Sequence, residues 1–382
     1  MSRNYATLLT VSVLFGLGLG VYEFALPYFL DAHGISVPSM GVIYGVAAAL
    51  LFLVRVYAGD LSDRLGRKAM YGLSVALCSL VSALTPTAPV LWFQTILKSG
   101  REAGASIFDT MYQLALHDED ATKYVNRVGK TRGFQSLAEA AGTFGTGLLL
   151  VSAAYTASFR LSAALLFLGA AIFLLAYRPR SKSNDSAGRS SLRDMLALDL
   201  PHPLLVLTLS SFIFTLGLSI SHCFVMQLFW ERQFQATKPV IGTILMLHRF
   251  TIALPLLLVG WAVKKRLKQV FIAFVMLEGL ALTISGLIPH FFLATAVWLT
   301  HDLLGAGVWI PVQSAFIQKH SRPETRGRDV SKVFALASLG WIFGPLLAGA
   351  IFDHWYGGPF VFSGAIMMLS AFVLFALPSP ER

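Results

Sequence analysis

The chain has 382 residues, of which 55% are hydrophobic and only 13% charged, with a formal net charge of +10. Soluble domains carry about 25% charged residues, and many apolar runs here reach the ~20 residues that cross a bilayer core. A soluble globular fold is excluded; the composition is that of an all-α, multi-pass membrane protein.

Apolar runs set against their Gly, Pro and charged breakers place twelve spans. They lie at 5–29, 39–58, 69–84, 89–116, 132–154, 159–177, 203–229, 240–262, 270–288, 291–318, 330–352 and 359–377. The first is too long for the apolar core of a cleavable signal and is followed by no small-residue cleavage site, so it is expected to remain. It carries Glu23 in its outer third, after Gly16, Gly18 and Gly20. A densely charged loop, 59–68, follows the second span. The fourth span holds Lys98, Arg101, Glu102, Asp109, Tyr112 and Gln113, which at about 100° per residue share one face. Glu139 and a run of glycines mark the fifth. Residues 178–200 are polar and Ser-rich, then amphipathic from Leu192 to Leu198, as expected of a segment lying on the membrane surface. His222 and Gln227 sit on the seventh span, His248 and Arg249 on the eighth, Glu278 on the ninth. The tenth repeats the pattern of the fourth: Trp298, His301, Asp302, Trp309 and Gln313 fall on one face. Cys78 and Cys223 lie inside apolar runs, with neither disulfide nor metal-ligand spacing; no metal site and no cofactor is expected.

Lys and Arg set the orientation. With the N-terminus inside, 23 of them fall on the cytoplasmic side and three (Arg160, Arg232, Lys238) outside, which puts both termini in the cytoplasm. The positive charge is thus a topological signal and calls for no nucleic-acid partner. The polar linker divides the chain into a six-span half (1–178), a linker (179–202) and a second six-span half (203–382). Features recur about 200 residues apart, Phe144-Gly145 before Phe343-Gly344 for example, as in an internal duplication.

The charged loop reads GDLSDRLGRK. A topological anchor needs only its Arg64, Arg67 and Lys68; Asp60 and Asp63 among them make a network of both signs. The stretch resembles the signature of the major facilitator superfamily of transporters, G-x-x-x-D-R-x-G-R-[KR], between spans 2 and 3 of twelve. Gly59, Asp63, Arg64, Gly66, Arg67 and Lys68 match every fixed position. The resemblance implies two pseudo-symmetric six-helix bundles and a conformational latch, in which Asp63 meets the N-terminus of span 11 and Arg67 pairs with Asp109. Contacts of about 1 kcal/mol each suit a latch that opens every cycle. Arg101 with Gly104-Ala105 also resembles the family's fourth span, with altered spacing. The Gly-Pro step of family exporters reads Gly145-Thr146 in span 5, while Gly344-Pro345 stands in span 11.

Charges inside a membrane are costly, so each is a functional candidate. Shifted by 200 residues, Arg101-Glu102 falls on His301-Asp302. Histidine titrates near neutrality and so, with its neighbouring carboxylate, suits a coupled proton. Arg101 holds its charge at any pH and suits an anionic group; Glu102 fits either task. The competing reading is that both pairs neutralise themselves and tie helices together. His222 and His248, taken singly, read as hydrogen-bonded packing residues, and Glu278 as snorkelling or pairing structurally. Trp298 and Trp309 beside mixed charge suit an amphipathic or zwitterionic solute, with Glu23, His222 and Gln227 as further candidates. The expectation is a monomeric inner-membrane secondary transporter working by alternating access, with proton-coupled efflux set against uptake symport. A membrane-embedded transferase using His301/Asp302 or His222-Cys223 is the alternative class, but no nucleophile, base and orienter set with a cofactor motif accompanies it.

Overall fold

The computed structural model describes residues 2–119, 124–178, 192–262, 266–322 and 325–378. Their regular elements are helical: α1 (Arg3–Ala32), α2 (Val37–Leu65), α3 (Arg67–Leu84), α4 (Leu91–Glu119), α5 (Tyr124–Ser152), α6 (Tyr155–Ala176), α7 (Leu192–Leu196) and α8 (His202–Ser221). There follow α9 (Val225–Phe234), α10 (Lys238–Ala262), α11 (Leu267–Leu287), α12 (Phe291–Leu303), α13 (Ala306–His320), α14 (Arg326–Ser338), α15 (Gly340–Phe352) and α16 (Gly358–Val373). Among the described residues, nine helical runs are long and apolar enough to cross a bilayer. The charge-bearing α4 has 29 residues, ample length at 1.5 Å per residue. Helices satisfy their backbone internally, so a chain this apolar folds as a helical membrane protein.

Several expected boundaries move. The charged stretch 59–68 is no loop: α2 runs through Leu65, a single residue, Gly66, turns the chain at φ 84° and ψ 137°, and α3 begins at Arg67. Only glycine reaches that conformation without strain, so one residue suffices where a longer connection was expected. Expected spans 7, 10 and 11 are each two helices, interrupted at His222-Cys223-Phe224, Leu304-Gly305 and Leu339. At Gly305 the cause is close approach: an added Cβ would fall 2.5 Å from the Cβ of Glu278 on α11.

The described residues form two compact units, taken here one at a time. The first comprises Met1–Ser36, Val46–Leu192 and Thr237–Met246; the second comprises Val37–Gly45, Arg193–Ala236 and Leu247–Arg382. The division thus departs from the sequence halves at the start of α2 and the start of α10. Small residues account for both departures. In the second unit a Cβ on Gly41 would meet the Pro345 carbonyl oxygen at 2.5 Å, and in the first a Cβ on Gly242 would lie 3.3 Å from the Gly147 Cα. Without side chains at these points the backbones come into direct contact.

In the first unit α1 packs on α5 and α6, and α3 on α4 and α6. Its core is an aromatic column in which Phe15 stacks on Phe108 at 3.8 Å and Tyr71 on Phe173 at 3.9 Å. In the second unit α8 packs on α15 and α16, and α11 on α12 and α16. The same pairing pattern, displaced by six spans, is the structural form of the duplication seen in the sequence. The amphipathic linker piece contributes the short α7, and just beyond it Asp199 pairs with Arg328 and Lys332 of α14.

Candidate functional site

Two charged centres stand out, one in each unit. In the first, Lys98 of α4 lies between two carboxylates. Its Nζ is 2.8 and 2.7 Å from the two carboxylate oxygens of Glu23 on α1, and 2.7 Å from Oε1 of Glu102 one helical turn on. The lysine side chain is 3% exposed, whereas Glu23 and Glu102 keep 29% and 25% of theirs accessible. An ammonium so enclosed is held by charge from two sides, while both acidic side chains stay partly accessible. Arg101, one position before Glu102, is fully buried; its Nη1 donates to the Cys78 carbonyl at 3.3 Å and its guanidinium lies 4.6 Å over the Tyr22 ring.

Glu102 also borders a cleft of about 250 Å³ between α1, α2, α4 and α5. Its walls combine apolar Phe15, Leu19 and Leu51 with the acids Asp109 and Glu139 and with Arg132. Arg132 donates to Asp109 at 2.9 Å and to the Gln135 side-chain oxygen at 3.3 Å, and lies over the Tyr112 ring. The cleft is therefore amphipathic and richer in carboxylate than in cation.

The second centre is built on imidazole. His222 ends α8, His248 lies on α10, and His301 and Asp302 lie on α12. The ligand-capable atoms of the three histidines fall within 4.8 Å of one another. His222 Nε2 is 3.0 Å from His301 Nε2, His248 Nε2 pairs with Asp302, and Asp302 Oδ2 is 3.4 Å from His301 Nε2. Trp298 closes one side, stacked on His248 with ring centroids 4.5 Å apart and backed by Trp230 at 5.6 Å. The Asp302 side chain is 4% exposed and that of His301 is fully buried.

Most of the residues singled out in the sequence have a described place. Arg101, Glu102 and Glu23 come together, with Lys98 as the keystone; it was seen only as one of a stripe. Its role was hidden because its partner Glu23 lies on another helix. His301, Asp302, Trp298 and His222 meet, and His248, read singly as packing, belongs with them. Trp309 does not share their surroundings. Beyond the break at Gly305 it turns to α11, where its indole N–H donates to Glu278, while Gln313 donates to Ser211 at 2.7 Å. Glu278 is fully buried rather than snorkelling. Gln227 is buried on α9. Of the expected latch residues, Asp109 pairs with Arg132 in the cleft wall, and Arg67 and Lys68 are half-buried at the start of α3. The side chains of Gly59, Asp63 and Arg64 lie outside the described residues.

An all-helical membrane protein, built from duplicated bundles and holding paired charges at its core, is the architecture of a solute transporter. A family model described as Major Facilitator Superfamily matches residues 8–230 and 207–382; the chain belongs to that superfamily. It is 24% identical over 371 residues to multidrug resistance protein 2 of Bacillus subtilis (strain 168), covering 92% of this chain and 90% of that one. It is 26% identical over 412 residues to the class C tetracycline resistance protein of Escherichia coli, covering 97% and 96%. Among solved structures, the nucleoside transporter NupG superposes with a TM-score of 0.81 over 99% of each chain at 13% identity. That likeness is one of fold.

Proposed function

We propose that the protein is a proton-coupled exporter of small organic molecules that carry an apolar body and an amine or a zwitterionic head. It works by alternating access in the inner membrane, as a monomer with both termini in the cytoplasm and with no bound cofactor. The observation that carries this reading is the Glu23–Lys98–Glu102 centre and the cleft that Glu102 borders. A lysine shared by two carboxylates can serve as a proton exchange point: one carboxylate turns to a substrate cation while the other keeps Lys98, and when the substrate leaves, a proton takes its place on the freed carboxylate. The acids and apolar side chains of the cleft wall supply a counter-charge and a nonpolar surface for such a solute. The resistance proteins among its relatives support export of a drug-like compound, and the 59–68 motif supports alternating access.

The sequence reading favours His301 and Asp302 as carriers of the coupled proton. We assign it to Glu102 and Glu23 instead, because their side chains stay partly accessible while that of Asp302 is buried against His248 and His301. The test is purified protein in proteoliposomes with an imposed pH gradient. A panel of amphipathic amines and zwitterions is added, and internal pH and solute are followed together. Expected is solute movement against its gradient, coupled to opposite proton movement and abolished when the pH gradient is collapsed. Solute movement indifferent to the gradient would overturn the coupling.

A further inference from the structure

We infer that His222, His248, His301 and Asp302 form a binding site for a divalent first-row transition-metal ion such as Zn²⁺ or Co²⁺. The inference is independent of the transport reading, since it concerns binding alone. It begins with the orientation of the rings. His301 Nδ1 is hydrogen-bonded to the Trp298 carbonyl, which can only accept, so the proton is on Nδ1 and Nε2 presents its lone pair to the centre. His222 Nδ1 is paired with Ser221 Oγ at 2.8 Å, and its Nε2 points to the same spot, 3.0 Å from that of His301. A histidine pinned at one nitrogen by a carbonyl or hydroxyl, with the other nitrogen facing inward, is the arrangement that holds metal-ligating imidazoles in place.

His248 and Asp302 complete the set. Asp302 Oδ2 contacts the Nε2 atoms of both His248 and His301, giving three nitrogen donors and one oxygen donor. Tetrahedral coordination at ~2.0–2.1 Å places neighbouring donor atoms about 3.4 Å apart. The 3.4 Å between Asp302 and His301 matches and the 3.0 Å between His222 and His301 lies near it, while the histidine ligand atoms all fall within 4.8 Å of one another; ligation would draw these atoms together and part His248 from Asp302. Ligation needs a bare ring nitrogen on each imidazole.

The donor set selects the ion. Three imidazoles and one carboxylate suit zinc, cobalt or nickel, whereas magnesium and calcium favour oxygen donors throughout. The thiol nearest in sequence takes no part: Cys223 Sγ is 3.6 Å from the Ile220 carbonyl, as its donor. Trp298 and Trp230 supply a dry wall, and the low dielectric there strengthens the attraction between a dication and Asp302.

The experiment uses tag-free protein in detergent, stripped with chelator and titrated with Co²⁺ and then with Zn²⁺. Expected is one Co²⁺ per chain, with the intense visible absorption of a four-coordinate ion, displaced stoichiometrically by Zn²⁺. His248→Ala and His222→Gln should each weaken binding at least tenfold while thermal unfolding shows them folded. X-ray absorption on the Zn²⁺-loaded wild type serves if a variant does not fold, and should show about three imidazoles at ~2.0–2.1 Å. Absence of saturable binding, variants that bind like the wild type, or a zinc environment with fewer than two imidazoles would each overturn the site.

Discussion

The two centres stand at related positions in the two units but are built from different side chains, and one is partly accessible where the other is buried. In the first unit Lys98 is shared by two acids whose side chains stay partly accessible, and one of these acids borders a cleft. In the second, three imidazoles enclose a single carboxylate behind two tryptophans. The helix pairings match between the units, while the side chains differ: on the readings proposed above, one centre exchanges solute and proton and the other holds a cation. Similar position in a duplicated fold does not imply similar task.

The largest expected effect of breaking this comparison is at Lys98. Lys98→Met removes the ammonium that Glu23 and Glu102 share; breaking a buried pair costs about 3–5 kcal/mol, and the partial exposure of both acids keeps this loss near the lower end. Thermal unfolding in detergent should show a marked loss of stability, and adding Glu23→Gln should recover part of it. Equal stability of Lys98→Met and wild type would mean the lysine is not the keystone.

A smaller loss is expected where α12 gives way to α13. Gly305→Ala drives a methyl group into Glu278 and the His301 carbonyl, and overpacking of this kind costs about 1–3 kcal/mol. It should also disturb the histidine centre, which a solvent-facing alanine substitution would not; Co²⁺ titration and thermal unfolding together make the check. Trp309→Phe removes the indole donor to Glu278 and leaves a buried carboxyl unsatisfied, at about 1–3 kcal/mol, but should leave metal binding at wild-type strength.

The smallest effect is at the linker. The hydrogen bond from Lys332 holds the Asp199 carboxyl below its usual range, with further help from the Arg328 and Lys332 charges. Its folded value being lowered, the stabilising contribution is present above the ordinary carboxylate pKa of about 3.9. It is lost as pH falls through the folded value. Asp199→Asn should therefore melt slightly below wild type at neutral pH, with the gap closing as the pH drops below about 4. A gap independent of pH would show that the ion pairs contribute nothing.

Much of the architecture was legible because burial in lipid demands long apolar helices, and lysine and arginine mark the loops between them. Arg101-Glu102 and His301-Asp302 were found because charge inside a span is conspicuous on its own. What could not be read was which charges meet. Glu23 and Lys98 lie on different helices, as do His222, His248 and His301, and helical periodicity says nothing about rotation between helices. The breaks at His222 and Gly305 were also hidden. Hydropathy runs smoothly across both, while the cause at Gly305 is a packing contact with Glu278 on another helix. Trp309 was assigned to the face of Trp298 for the same reason, as an unbroken helix would have kept them together.

The measurement that bears most directly on the division of labour is uphill transport and solute exchange in proteoliposomes for Glu102→Gln and Asp302→Asn, side by side. Exchange needs only binding and reorientation of the loaded carrier, whereas accumulation needs the empty carrier to return with altered protonation. The account predicts that Glu102→Gln loses at least tenfold of its gradient-driven accumulation while exchange persists, and that Asp302→Asn keeps both. Full accumulation in Glu102→Gln together with its loss in Asp302→Asn would contradict it, moving the coupled proton to the histidine centre.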